Sequence, residues 1–300
     1  MAESPIPLIC VLGPTASGKT RLAARLAATA NGEVISADSR QVYRHMDIGT
    51  GKDLEDYAVD GVAIQTHLID IVDPGYEYNL YEFKRDCVTA IREIHSRGRL
   101  PILCGGTGLY LSAVLQDYQL LSAPPDPVRR AELAATPSEQ LIAELRSHGP
   151  LHNTSDIQDR ERLIRAIEIV EASPSARAPS IALDSRVVGL RWERRDLRER
   201  ITLRLTYRLD HGLLEEVRGL LDRGLTHEQL LFYGLEYRYV TQYLCGEISR
   251  KRMFAALNAA IHQFAKRQET WFRRMERQGI DIHWLDGRNS PEDNAKLALA

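Results

Sequence analysis

Gly13-Pro14-Thr15-Ala16-Ser17-Gly18-Lys19-Thr20 follows the apolar run Leu8–Leu12 and precedes a helical pattern. The run fits G-x-x-x-x-G-K-S/T in the strand–turn–helix setting that a phosphate-cradling loop requires. Gly13 and Gly18 admit backbone approaches that a Cβ blocks. Successive N–H groups then converge on anionic oxygens, and the start of the next helix adds its positive end. Lys19 supplies a point charge to a terminal phosphate, and the Thr20 hydroxyl suits a Mg²⁺ ligand. This P-loop, a common ATP-binding motif, specifies a di- or triphosphate as the group held. It leaves the reaction open.

Four further runs bear on the reaction. Ser36-Ala37-Asp38-Ser39-Arg40-Gln41-Val42-Tyr43 follows a short apolar strand pattern. In a parallel sheet the carboxyl ends of strands face the ligand crevice, which brings Asp38 near the loop mouth. A carboxylate there holds a metal or accepts a proton, although Asp before such a run also caps a helix. Cys104-Gly105-Gly106-Thr107-Gly108-Leu109-Tyr110-Leu111 reads as a tight strand-to-helix turn whose backbone can touch a ligand. Thr107 either faces the same crevice or is an N-cap. In Glu161-Arg162-Leu163-Ile164-Arg165-Ala166-Ile167-Glu168, Arg162 and Arg165 share a helix face. They suit phosphate or base contacts, or they pair with Glu161, Glu168 or Glu171. Ala265–Arg274 interleaves Lys and Arg with Trp271 and Phe272, as an RNA surface does and as an amphipathic helix with a buried aromatic end also does.

These residues need a scaffold, and the remaining pattern describes one. Strand patterns at Ile6–Leu12, Glu33–Ser36, Gln65–Ile69, Pro101–Cys104, Val187–Arg191 and Ile282–Leu285 alternate with helical ones at Lys19–Thr29, Leu80–Arg97 and Gly108–Leu115. That alternation predicts an α/β fold, a P-loop NTPase-like parallel sheet flanked by helices. The character changes after Leu120. The breaks Ser122–Pro127 and Ser173–Ser180 enclose helical patterns at Val128–Ala135, Ser138–Ser147 and Ile157–Ala172. We expect a core of residues 1–119 and 185–300 around a helical insertion of residues 120–184. The C-terminal part reads as helices over Arg194–Arg223, Thr226–Leu231, Glu236–Leu244 and Ser249–Gln278.

Composition narrows the class. With 27% charged residues and a net charge of −2, the chain has an ordinary globular composition. Arg186–Arg277 nevertheless carries 19 Lys and Arg against 12 Asp and Glu, which suits a polyanionic partner as well as a set of solvated helices. No apolar run approaches the roughly 20 residues of a membrane span, and no signal peptide is legible, so a cytoplasmic protein without membrane contact is expected. Cys10, Cys87, Cys104 and Cys245 have no zinc spacing, and Cys10 and Cys104 fall in expected core strands.

In order, the motifs resemble those of the tRNA dimethylallyltransferase (tRNA isopentenyltransferase) family. The resemblance rests on G-P-T-A-S-G-K-T, D-S-x-Q-x-Y at Asp38–Tyr43 running into Met46–Lys52, His67–Asp70 with Asp73-Pro74, G-G-T-G-L-Y, the R-L-x-R-A-x-E helix and K-R-Q-x-T-W. It covers about Ile9 to Leu285. It implies transfer of a dimethylallyl group from dimethylallyl diphosphate to N6 of the adenosine that follows the anticodon on its 3′ side, with Mg²⁺ and a diphosphate leaving group. It further implies that Asp38 accepts the amine proton, Thr107 places the amine, and Arg204 reaches the diphosphate with Lys19. Asp38, Ser39, Arg40, Gln41, Thr107, Arg129 and the stretch Glu161, Arg162, Leu163, Ile164 and Arg165 match family contacts to the tRNA anticodon loop. A monomer is expected. Glu161, Arg208 and Glu236 depart from the pattern, standing where the family usually has glutamine, an apolar residue and glycine. Alternatives are an adenine-nucleotide prenyltransferase, a small-molecule P-loop kinase, which leaves G-G-T-G-L-Y and K-R-Q-x-T-W without a role, and a nucleotide-gated RNA-binding protein.

Overall fold

Strand β1 (Ile6–Leu12) is apolar along its length because it is buried on both faces. Leu8, Cys10 and Leu12 enter one core while Ile9 and Val11 enter another, the alternation that a strand imposes. The computed structural model describes residues 4–122, 126–148, 159–171 and 177–300. After β1 come α1 (Lys19–Thr29) and β2 (Gly32–Ser36). A 3-10 turn, Leu54–Tyr57, leads into a small antiparallel hairpin, β3 (Ala58–Val59) and β4 (Val62–Ala63). Then follow β5 (Thr66–His67), α2 (Leu80–Ser96), β6 (Leu100–Gly105) and α3 (Gly108–Leu115).

The chain re-enters the sheet at β7 (Leu183–Arg191) and continues through α7 (Arg194–Asp210), α8 (Leu213–Asp222), α9 (His227–Phe232), α10 (Leu235–Leu244) and α11 (Arg250–Arg277). It ends with β8 (Ile282–Asp286) and α12 (Pro291–Leu299). The six-stranded sheet has the order β5-β2-β6-β1-β7-β8, and all its pairings are parallel. On one face lie α2, α3 and the end of α11, through Phe83, Ile91, Leu111 and Phe272; on the other lie α1 and α12, through Leu22, Leu26 and Ala298. This is the expected α/β architecture with helices on both faces.

Order and register position the site. β6 lies between β2 and β1, with Ser36 level with Cys104 and Leu12 level with Gly105. Three motifs distant in sequence therefore leave the sheet side by side, on strands roughly 4.8 Å apart. Gly105 makes this closeness possible. A Cβ there would be driven into the Ala37 carbonyl oxygen, which is backbone and has no rotamer to yield. Gly105→Ala is expected to cost at least about 2 kcal/mol, read as a lowered thermal midpoint, through overpacking against main chain.

Other elements differ from the sequence pattern. The single helix expected over Arg194–Arg223 is two, because Gly212 takes φ 101° and starts α8 in a new direction. The β3–β4 hairpin and α12 went unread, although Ser290 caps α12 and Pro291 opens it. Both breaks flanking the insertion, and the ends of the helix expected over Ile157–Ala172, fall partly outside the described residues. No described helix is long and apolar enough to cross a membrane. All four cysteines are free, and Cys10, Cys87 and Cys104 are buried.

By contact density the chain divides into Met1–Asp117 with Ile181–Ala300, and Tyr118–Ser180. The smaller unit contains α4 (Pro127–Ala135), α5 (Ser138–Ser147) and α6 (Arg160–Glu171). Its own core is made by Leu133, Leu141, Leu145, Leu163, Ile164 and Ile167.

Candidate active site

Between β1 and α1 the loop takes the shape its glycines permit. Gly18 sits at φ 88°, which a Cβ would strain, and precedes α1 without a side-chain cap. The N–H groups of Ala16, Gly18, Lys19 and Thr20 have no partner among the described residues. Such first-turn N–H groups, with the helix dipole behind them, form an anion cradle. Side chains from behind brace the loop. Trp192 Nε1 donates to the Ser17 carbonyl at 2.9 Å, Arg200 Nε donates to the Ala16 carbonyl at 2.9 Å, and the Thr15 N–H donates to Gln268 Oε1 at 2.8 Å.

Lys19 follows the cradle into α1. Burial pushes its pKa down, Cys104 and Asp38 oppose the shift, and Arg204 reinforces it. An anion in the cradle would relieve both burial and repulsion. Cys104, beneath Lys19, is a thiol pushed up to about 12 by burial, and so is an inert neighbour. The Thr20 hydroxyl faces Tyr57, whose own pKa burial raises well above the ordinary value.

Asp38 leaves the end of β2 half-buried and pointing toward this group; its charge is felt at Lys19, Tyr57 and Cys104. It caps no helix, because turns at residues 39–42 follow it. Instead its Oδ1 accepts the Arg40 N–H at 2.9 Å, fixing the carboxylate in a local turn. Thr107 stands at the N-cap position of α3, yet its hydroxyl makes no cap bond. It accepts the Ser39 N–H at 3.2 Å, joining the G-G-T-G turn to the Asp38 loop. Gln41 is buried and bridges the Ser36 hydroxyl, at 2.8 Å, to the Gly51 carbonyl, at 3.0 Å. Arg40 lies over the Phe232 ring at 5.0 Å.

Arg204, on α7, reaches the loop from the far side, with Nη1 3.5 Å from Thr15 Oγ1. Burial lowers its pKa, and the adjacent Arg208 adds to the effect. Asp53 bridges both guanidiniums, and they hold its carboxyl below the usual range although burial pushes the other way.

Sequence reasoning missed four residues that hold this geometry. Gln268, in the K-R-Q-x-T-W run, binds the Thr15 N–H and donates to the Gly106 carbonyl at 2.9 Å, locking the two glycine loops together. Trp271 of the same run packs on Gly108 and donates to Ser112 Oγ at 3.0 Å. That face of α11 is therefore packing, while Lys266, Arg267, Arg273 and Arg274 stay exposed. Asp53 directly follows the Gly49–Lys52 run, a signal that could have found it. Glu216 carried no signal: its carboxylate accepts the N–H groups of Asp47, Ile48 and Gly49 at 2.7–2.9 Å and holds the loop that presents Asp53.

One crevice at the ends of three adjacent strands thus holds an anion cradle, a lysine, a carboxylate and a hydroxyl. Comparison with known proteins agrees. A family profile described as IPP transferase matches residues 41–275, and one described as Isopentenyl transferase matches residues 6–61. The chain belongs to the IPP transferase family. It is 54% identical to the tRNA dimethylallyltransferase 2 of Syntrophotalea carbinolica, over 95% of each chain. It is 53% identical to the tRNA dimethylallyltransferase 1 of Geotalea daltonii, over 95% of this chain and 92% of that one. Its fold matches the crystal structure of the tRNA isopentenylpyrophosphate transferase of Bacillus halodurans with a TM-score of 0.71 at 33% identity, covering 98% and 94% of the two chains. It also matches a eukaryotic dimethylallyltransferase acting on tRNA with a TM-score of 0.69 at 25% identity, covering 94% and 74%.

In this transferase the insertion residues divide by environment. Leu163 and Ile164 are buried in the insertion core. Arg165 pairs with Glu168 at 3.0 Å, and Arg129 is tied to Glu132, Glu144 and Glu171. Glu161 and Arg162 are exposed on α6, and Arg162 makes no ion pair among the described residues. A divalent cation fits the crevice on one condition. Among the described residues no three His, Cys, Asp or Glu side chains group as a metal site, so the Thr20 hydroxyl would share the ion with substrate oxygens.

Proposed function

We propose that this chain transfers a dimethylallyl group from dimethylallyl diphosphate to N6 of the adenosine 3′ to the anticodon of tRNA, releasing diphosphate. The observation that carries the reading is that Asp38 and Thr107 follow the ends of β2 and β6, beside the cradle that follows β1, and that their loops are hydrogen-bonded to each other. The diphosphate takes the N–H groups of Ala16, Gly18, Lys19 and Thr20, with Lys19 and Arg204 on its oxygens. As the allylic C1–O bond breaks, charge grows on the diphosphate where these donors already point. N6 attacks C1, Asp38 takes the proton, and Thr107 orients the amine. The Thr20 hydroxyl would hold Mg²⁺, which would supply positive charge to the leaving group. The adenine must leave its stack to reach the crevice, which is cheap in a single-stranded anticodon loop. Cradle, acceptor and arginine come from one chain, which supports a monomer, and a tRNA substrate of this kind suits a cytoplasmic protein.

The direct test is transfer of radiolabelled dimethylallyl diphosphate to unmodified tRNA and, separately, to AMP. Label in tRNA supports the reading. Label in AMP alone makes the chain a nucleotide prenyltransferase, and ATP hydrolysis without label makes it kinase-like.

On α6, Arg162 is exposed and makes no ion pair among the described residues, whereas Arg165 pairs with Glu168. Arg162→Ala is expected to raise KM for tRNA and to shallow the log–log salt dependence of tRNA binding by about one unit, leaving KM for the prenyl donor unchanged. An unchanged salt slope assigns α6 a purely structural role.

A further inference from the structure

The departures Arg208 and Glu236 come from different helices and meet at one recess. Thr15 and Ala16 of the phosphate loop line it together with Arg204, Arg208, Glu236 and Ile261. Arg208 stands one helical turn beyond Arg204, so both heads emerge on one face of α7. It is 8% exposed. Its Nη2 donates to Asp53 at 3.2 Å, its Nη1 lies 3.9 Å from Glu236 Oε1, and its Nε–H is buried without a partner among the described residues. An ion pair present only for packing would satisfy that donor, because a buried guanidinium N–H left unpaired is costly.

The pairing around it points the same way. Asp53 is one carboxylate shared by two guanidiniums. Burial pushes the Glu236 carboxyl upward against the pull of Arg208. The recess therefore gathers two guanidiniums and an unused donor, beside a loop whose free N–H groups are open to an anion. We propose that Arg208 is a second diphosphate-binding arginine, gripping the prenyl donor's diphosphate with Arg204 from the recess side, and that Glu236 is the residue that positions it. The proposal rests on the diphosphate reading of the cradle.

Calorimetry with inorganic pyrophosphate and Mg²⁺ tests it, with KM for dimethylallyl diphosphate and for tRNA measured in parallel. Arg208→Leu should weaken pyrophosphate binding about tenfold and raise the donor KM by a similar factor, with the tRNA KM unmoved. Arg208→Lys should recover part of the loss. The double variant Arg208→Leu with Glu236→Gly removes both charges and should stay weak; should the single variant fail to fold, this one decides. Wild-type pyrophosphate affinity in either Leu variant overturns the proposal, and so does a change confined to the tRNA KM, which would assign Arg208 to an RNA phosphate. Lys19→Ala separates the two levels. If it abolishes pyrophosphate binding while Arg208→Leu has no effect, only the role of Arg208 falls. If Lys19→Ala binds pyrophosphate as wild type does, the cradle reading falls with it.

Discussion

Replacing Asp38 by alanine is expected to lower kcat by about 10²-fold or more while leaving pyrophosphate affinity within about threefold of wild type. An exocyclic adenine amine is a weak nucleophile, and attack on the allylic carbon leaves it cationic unless a base takes its proton. Asp38 is the carboxylate that β2 delivers to the cradle, held by the Arg40 N–H and set beside the Thr107–Ser39 contact. Asp38→Asn refines the test. The amide oxygen still accepts the Arg40 N–H, so the turn persists, but the side chain no longer takes a proton. Both variants should therefore show the same loss in single-turnover rate. Near-wild-type turnover in Asp38→Asn would assign the residue a positioning role only, through its turn.

How much of this site was legible depends on the range of the interaction involved. β1, α1 and α3 begin and end where their own residues dictate: an apolar run, a Gly18 stop, a G-G-T-G turn. Strand order is not local. Nothing in the Asp38 loop or in G-G-T-G-L-Y says that β6 separates β2 from β1, and this pairing alone makes the two motifs neighbours. Gln268 shows the same limit more sharply. Its amide joins Thr15 to Gly106 across most of the chain, while the sequence offered only a basic helix with two aromatics. The helix over Arg194–Arg223 failed for a different reason. Its composition favours helix on both sides of Gly212, and only the packing of Leu213 and Val217 into the helical C-terminal core sets the new direction. Roles carried by charge were half legible. Arg204 matched a family position, but Asp53, which holds it, needed the Glu216-anchored loop to arrive there.

Lys19→Ala carries the other large effect, a fall of about 10³-fold in kcat/KM for the donor, or roughly 4 kcal/mol of transition-state stabilisation. The ammonium lies where charge gathers on the leaving diphosphate, and it is preorganised, since α1 and Cys104 surround it before any ligand arrives. Burial that depresses its pKa also sets a pH signature. The protonated form binds the anion, so its contribution is fully present below the depressed pKa and is lost as pH rises through that value, which lies below the ordinary 10.5. An anion in the cradle stabilises the ammonium, so binding on the alkaline side takes up a proton. Wild type and Lys19→Ala should therefore differ most in pyrophosphate affinity near neutral pH and converge as pH climbs toward the ordinary lysine value. A gap that stays constant across that range would mean that Lys19 acts through the shape of the loop and not through its charge.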